Sequence, residues 1–238
     1  MKHFATMSIA ALVVAAGSAA AGITFQESFE NAPGTTYTMS NQFDDGFFDF
    51  FDRYAVPDNS NAARDDFQLG WDGGFGILGQ DHDGDGFNAT QSVFISGIDI
   101  SGQSNISVIG SFGALNSEPN FNNYESSQGD GFKIYASIDG AGRTLIGEFA
   151  PNSTGASDLY LDTNGDGVGD GARLTVDLAD FSFGVAGTGS VLDIEVAMTS
   201  TASFEPLALD NIRVDAVPAP GSLALLGFAG LVATRRRR

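Results

Sequence analysis

Two short segments place carboxylate and amide oxygens at alternate positions ahead of a glycine. One runs from Asp81 to Gly86 (DHDGDG) and the other from Asp162 to Asp170 (DTNGDGVGD). Side chains 1, 3 and 5 of such a loop converge on one point while the glycine permits a sharp turn, which is how calcium loops begin. The alternation therefore predicts calcium binding in both loops. The alternative is that Asp, Asn and Gly are present only because they form good turns.

The second loop offers more oxygen ligands than the first, so we expect it to bind calcium more tightly. Neither loop has glutamate at position 12, where Ser92 and Arg173 stand, and neither is flanked by predicted helices. They are therefore not EF-hands, but they resemble the loops of dockerins and thrombospondin type 3 repeats. The predicted ligands are Asp162, Asn164, Asp166, the Val168 carbonyl and Asp170 in the second loop, and Asp81, Asp83 and Asp85 in the first.

A third candidate calcium site joins the two ends of the central region. Residues 25–30 read FQESFE, and residues 205–212 read EPLALDNI. In these segments the chain resembles carbohydrate-binding and MAM-type jelly rolls. The resemblance implies a structural calcium shared by Glu30, after the first strand, and Asp210. The alternative is that both, like Glu27, are ordinary strand-end carboxylates.

Catalytic chemistry finds little support. The chain has two histidines, His3 and His82, no cysteine and no G-x-S-x-G motif. It therefore lacks the residues that a catalytic triad or a catalytic zinc site normally needs. A glycosidase needs only two carboxylates, but thirty acidic residues single out no pair. We expect a protein that is not an enzyme.

Aromatic residues offer a different kind of site. The one tryptophan, Trp71, lies in LGWDGGF, and an exposed ring there would suit stacking on a sugar. A second aromatic group shares the segment 43–54 with several aspartates. Filling a sandwich core is the commoner use of such side chains, and it is the expectation we favour over a glycan platform at Trp71.

The elements that must hold these residues are strands. Apolar residues alternate with polar ones in 132–138 and 192–198, and residues 139–142 (DGAG) predict a hairpin turn. No segment between the two ends of the chain has convincing helical periodicity. The pattern predicts an all-β, two-sheet antiparallel sandwich of jelly-roll type. Further strands are predicted at 23–29, 93–98, 106–112, 144–149, 174–178 and 207–214.

Both ends carry apolar segments of another kind. At the N-terminus, Lys2, the apolar run 7–16 and the small residues 17–21 predict a cleavable signal peptide over residues 1–21, forming a short helix.

The central region, residues 22–215, is strongly acidic. Without the basic residues of the two ends it carries 6 basic against 30 acidic residues, a net charge of about −24. So acidic a surface disfavours nucleic-acid partners and favours bound cations.

The C-terminal segment 216–238 begins with a proline motif, continues as a short apolar helix and ends in an arginine cluster. It resembles the PEP-CTERM sorting signal that exosortases process, with Ala219 where the family usually has glutamate. The resemblance implies transient insertion into the inner membrane, with the arginines on the cytoplasmic side. The residues that carry it are Val217, Pro218, Ala219, Pro220, Arg235, Arg236, Arg237 and Arg238.

Together these features predict an exported protein of the cell surface or extracellular matrix, with 22–215 as one sandwich domain. We expect it to be stabilised by calcium and to bind a glycan or exopolysaccharide. A purely structural matrix component is the nearest alternative, and a secreted glycan-active hydrolase is a more distant one.

Overall fold

A computed structural model describes residues 21–46, 48–58, 67–84, 86–115, 124–153, 155 and 157–219. This part of the chain contains thirteen strands and no helix, which confirms the all-β prediction. The two predicted terminal helices lie outside the described residues. No described helix is long and apolar enough to span a membrane. The strands are β1 (Gly22–Glu27), β2 (Thr38–Met39), β3 (Phe43–Asp44), β4 (Phe50–Ala55), β5 (Phe75–Gln80), β6 (Thr90–Asp99), β7 (Gln103–Ala114), β8 (Gly131–Ile138), β9 (Thr144–Pro151), β10 (Leu159–Leu161), β11 (Ala179–Val185), β12 (Val191–Thr199) and β13 (Leu207–Pro218).

These strands form two sheets, and every pairing between named strands is antiparallel. The first sheet has the order β11-β7-β13-β5-β4-β3, and β1 pairs with the C-terminal half of β13. The second sheet has the order β10-β9-β8-β12-β6-β2. The predicted two-sheet antiparallel sandwich is therefore confirmed.

An aromatic cluster joins the two sheets in the core. The ring of Phe112, on β7 of the first sheet, lies 5.2 Å from that of Phe132 and 5.1 Å from that of Phe149, both of the second sheet. All three side chains are fully buried. Tilted and edge-to-face contacts of this kind add to the stabilisation from burial alone.

The outer faces of the two sheets differ. On the first sheet, a second apolar cluster brings Phe67 and Leu178, from loops, onto Leu78 of β5 and Ala208 of β13. Both faces of β5 are consequently buried. On the second sheet, the outward side chains of β8 and β12 alternate with buried ones and remain partly exposed.

Most of the predicted strands are confirmed, as is the hairpin between β8 and β9. In that hairpin, Asp139 and Gly140 both adopt positive φ at the centre of a turn in which the Ala141 amide donates to the Ile138 carbonyl at 3.0 Å. The strand predicted over 174–178 is wrong. Leu174 and Leu178 are buried from a loop, where their amides donate to the carbonyls of Leu159 and Leu69.

The last strand continues beyond the predicted end of the domain at residue 215. Val217 pairs with Ser104 and Pro218 with Gln103, both on β7. The Ala219 amide then donates to the Gly102 carbonyl at 2.7 Å. The first three residues of the proline motif therefore lie against the first sheet, while Pro220 and the four arginines lie outside the described residues.

Candidate functional site

The predicted loop from Asp162 to Asp170 is closed by its own side-chain oxygens. The Asp162 carboxylate, almost fully buried, accepts the amides of Asn164, Gly165 and Gly167 at 2.7–3.1 Å. The Asn164 side-chain amide donates to Asp170 at 3.2 Å. Asp162, Asn164 and Asp170 thus lie in one hydrogen-bonded turn, in which Asp162 is buried and the other two are exposed.

The exposed carboxylates of this loop, Asp166 and Asp170, also accept hydrogen bonds. Asp166 accepts the amide of Val168 at 3.0 Å. Asp170 accepts the Thr163 amide and hydroxyl, and these two bonds hold the pKa of the Asp170 carboxyl below its usual value. Calcium in this loop would share oxygens that already accept hydrogen bonds from the protein.

The loop that begins at Asp81 is arranged differently. Asp81 accepts the hydroxyl of Ser203 at 2.9 Å, and the Gly86 amide bonds to the backbone carbonyl of Asp83. Asp85 lies outside the described residues. A carboxylate that the pattern did not include, Asp49, lies so close to Gly84 that an added Cβ would be 2.0 Å from its Oδ2.

The histidine of this loop is part of the core. His82 is fully buried, its Nδ1 lies 2.9 Å from the Ala89 carbonyl oxygen, and its ring contacts those of Phe43 and Phe51 edge-on. Burial lowers its pKa to about 4, which keeps the imidazole neutral near pH 7. No substrate can reach this ring in the described conformation.

The third predicted site brings Glu30 and Asp210 to one loop. Glu30 accepts the amides of Gly74 and Phe75, at 2.8 and 3.1 Å, and Asp210 accepts the amide of Asp72 at 2.6 Å. Glu27 instead accepts hydrogen bonds from the Phe29 amide and the Thr36 hydroxyl. Residues from the N-terminal and C-terminal segments of the domain therefore meet at the loop 72–75.

Asp210 is fully buried, and this burial changes the pKa of its carboxyl. Burial raises its pKa to about 7, and the charges of Asp72 and Glu30 raise it further against the two amides that bond to it. A cation placed among these acids would offset the free-energy cost of ionising Asp210. Asp72 was missing from the predicted set because it belongs to neither terminal segment.

Trp71 packs against the outer cluster of the first sheet. Its indole N–H donates to the Phe67 carbonyl at 3.1 Å, and its ring covers Gly76, where a Cβ would lie 2.2 Å from a ring carbon. The side chain is partly buried in this contact. Trp71 thus occupies a packing position beside the candidate calcium loop.

A shallow depression of about 140 Å³ lies on the outer face of the second sheet. Strand register places Phe94 of β6, Glu195 of β12 and Tyr135 of β8 in one row across three strands. Neighbouring strands lie about 4.8 Å apart, so the two aromatic residues are roughly 10 Å apart. Its lining residues are Phe94, Ser96, Tyr135, Ala136, Ser137, Arg143, Asp193, Ile194 and Glu195.

Charged groups hold the depression in shape. The guanidinium of Arg143 lies 4.4 Å from the ring centroid of Tyr135 and forms an ion pair with Glu195. Glu195 also accepts the Ser92 hydroxyl at 3.0 Å, and Asp193 accepts the Gly97 amide at 2.9 Å. The depression thus combines two aromatic side chains, serine hydroxyls and the guanidinium of Arg143.

Sequence reasoning missed this depression, although part of its signal was present. Tyr135 and Glu195 occupy outward positions of the two strands with the clearest alternation. Their proximity depends on the pairing of β8 with β12, which the alternation does not specify.

No family model matches the chain, and no curated protein matches its sequence. Similar solved structures include the xylan-binding domain CBM22-1 of Xyn10C from Paenibacillus barcinonensis, at 11% identity and a TM-score of 0.42, covering 85% of this chain and 99% of that chain. The K3 cleaved adhesin domain of Lys-gingipain from Porphyromonas gingivalis W83 is 10% identical, with a TM-score of 0.45 and coverages of 82% and 99%. A Stig cyclase, Fisc, from Fischerella sp. TAU is 12% identical, with a TM-score of 0.44 and coverages of 85% and 90%. These likenesses concern the β-sandwich and assign no ligand or activity to this chain.

Proposed function

We propose that this chain is an exported, non-catalytic sandwich of jelly-roll type that binds a glycan on the outer face of its second sheet. The observation that carries the proposal is the row formed by Phe94, Glu195 and Tyr135 in the depression. The volume of the depression is far below the roughly 300–1,000 Å³ of pockets that enclose small molecules. A ligand would therefore lie across the surface of the sheet and would not be enclosed. An extended polymer suits such a surface.

The side chains of the depression match the chemistry of sugars. The apolar face of a sugar ring can pack on an aromatic side chain, while its hydroxyls exchange hydrogen bonds with Ser96, Ser137 and Arg143. Asp193 and Glu195 place two carboxylates at the depression, in a chain whose net charge is −19. We therefore favour a neutral polysaccharide over an acidic one.

Calcium would stabilise the sandwich without touching this ligand. Glu30 and Asp210 are the best supported of the sequence-predicted ligands, because they connect β1 and β13 to loop 72–75 and leave buried Asp210 without a cationic partner among the described residues. The predicted loop at 162–170 is a further candidate. Ca²⁺ accepts oxygen ligands in irregular geometry, which suits both places.

Export and surface display remain part of the proposal on the strength of the terminal segments. A signal peptide over 1–21 would send the chain across the membrane, and the PEP-CTERM-like segment would hold it there until an exosortase acts. Intact-mass analysis of protein from the native host should show loss of both ends. Recovery of a species that retains Arg238 in the inner-membrane fraction would contradict this part.

Binding of the purified protein to panels of neutral and acidic polysaccharides tests the proposed activity. For any polysaccharide bound, Tyr135→Ala should weaken binding at least about tenfold, a change of about 1.4 kcal/mol. Tyr160→Ala is the matched control, since Tyr160 is a partly buried tyrosine on β10 outside the depression. Equal losses in the two variants, at unchanged melting temperature, would refute the assignment of this surface.

The alternatives give different results in the same assay. A structural matrix component would bind neither panel, and a hydrolase would release reducing ends from the polysaccharide that it binds. The separate calcium proposal is tested by melting in chelator and in millimolar calcium. A hundredfold excess over Kd adds about 2.7 kcal/mol, so an unchanged melting temperature would refute it.

A further inference from the structure

Three carboxylates from distant parts of the chain meet at one end of the sandwich. Glu125 and Asp130 belong to the turn before β8, and Glu205 lies in the connection from β12 to β13. One ligand oxygen of each lies within 4.8 Å of the other two. Among the described residues, this is the one group of three acidic or histidine side chains so closely placed.

Two members of this cluster, Asp130 and Glu205, are withdrawn from water, and Glu125 is partly buried. Asp130 is 2% exposed and Glu205 is 1% exposed. One oxygen of Glu205, Oε2, accepts the amides of Thr201 and Ala202, both at 3.1 Å. The other, Oε1, is buried and has no hydrogen-bond partner. An orphaned carboxylate oxygen inside a protein is costly and calls for a missing partner.

A cation would satisfy this oxygen and offset the acidic groups around it. One oxygen of each of the three carboxyls lies within 4.8 Å of the other two, so hydrogen-bond acceptors face one another. Burial first, and the neighbouring carboxylates after it, raise the pKa of Asp130 and of Glu205. The ion pairs of the described residues leave this cluster without a lysine or arginine.

The geometry fits one ion. Calcium binds oxygens at about 2.3–2.6 Å, so two ligands on opposite sides of it lie up to about 5 Å apart. The donor set is oxygen only, which disfavours zinc, and it comes from irregular loops, which disfavours the strict octahedron of magnesium. We propose that Glu125, Asp130 and Glu205 form a calcium site, one that the alternating pattern of aspartates did not indicate.

Such an ion would join the two sheets. Asp130 leads into β8 of the second sheet, and Glu205 leads into β13 of the first. The Thr201 hydroxyl already bonds to Asp130 at 3.1 Å, and the Tyr124 hydroxyl donates to the Pro206 carbonyl at 2.7 Å. Calcium would complete this junction by cancelling the repulsion at its centre. The site does not depend on the proposed glycan surface.

Calorimetric titration of the full chain with calcium at pH 8 tests the site. Glu205→Gln retains an oxygen for the two amides but removes the charge, and we expect it to abolish one binding event per chain or weaken it at least about 30-fold. Asp130→Asn should do the same. Glu148→Gln is the control, since Glu148 is a carboxylate in a surface ion pair with Lys133, and it should bind as the parent protein does.

Unchanged stoichiometry and affinity in Glu205→Gln and Asp130→Asn would overturn the proposal. Since misfolding of a variant would also abolish binding, the unaltered protein supplies a second measurement. Crystals grown with terbium, which replaces calcium at oxygen sites, should show an anomalous peak among the three carboxylates. A map with no peak there would overturn the proposal as well.

Discussion

The buried acidic cluster of Glu125, Asp130 and Glu205 and the loop from Asp162 to Asp170 use the same chemical groups in opposite ways. In the loop, carboxylates close in sequence accept backbone amides around one turn. In the cluster, carboxylates up to eighty residues apart face one another inside the protein. Local spacing thus produces a satisfied turn, whereas burial of converging acids produces an electrostatic conflict that only a proton or a cation resolves.

The largest effect expected from this difference is the pH dependence of stability in chelator. Because the folded pKa values of Asp130 and Glu205 are raised, their contribution is fully present below the unfolded values, near pH 4, and is lost as pH rises through the folded ones. One pKa unit corresponds to about 1.4 kcal/mol, and 1 kcal/mol to about 2–4 °C in a domain of this size. A pKa raised by even one unit therefore lowers the melting temperature by about 3–6 °C, and we expect a fall of at least that size in chelator between pH 5 and 9.

Glu205→Gln isolates the cluster in that experiment, since it should flatten the alkaline part of the profile. The loop has the opposite sign, because the lowered pKa of Asp170 makes its contribution disappear as pH falls. A melting temperature in chelator that rises from pH 5 to pH 9 would contradict the raised pKa values of Asp130 and Glu205 and, with them, this difference between cluster and loop.

The next effect concerns the loop without calcium. Asp162→Ala removes the acceptor of three amides, so we expect it to destabilise the protein by about 2–3 kcal/mol in chelator. Asp166→Ala removes the acceptor of one amide and should cost less than about 1 kcal/mol. Urea unfolding measures both, and equal costs would show that these hydrogen bonds do not hold the turn.

The smallest effect ranks the two sequence-predicted calcium loops. Asp166→Ala should remove more calcium-dependent stabilisation than Asp83→Ala, because the loop of Asp166 gathers more oxygens and the Asp81 carboxylate is engaged by Ser203. Melting with and without calcium compares the variants. A larger loss from Asp83→Ala would reverse the ranking.

Prediction of the fold succeeded where one face of a strand is buried and the other is not. Strands β8 and β12 show that alternation along most of their length. Strand β5 was missed because both of its faces are buried, leaving no period to detect. The error at 174–178 has a related cause, since Leu174 and Leu178 fill the core from a loop.

By itself, the sequence determined the all-β class, the hairpin at Asp139–Gly140 and the turn of the Asp162 loop. Each depends on interactions within a few residues, which spacing records directly. Only the tertiary structure decided the row of Phe94, Glu195 and Tyr135 and the meeting of Glu125, Asp130 and Glu205. Those groups depend on which strands pair and which loops converge. The periodicity of the sequence does not show which distant residues become neighbours.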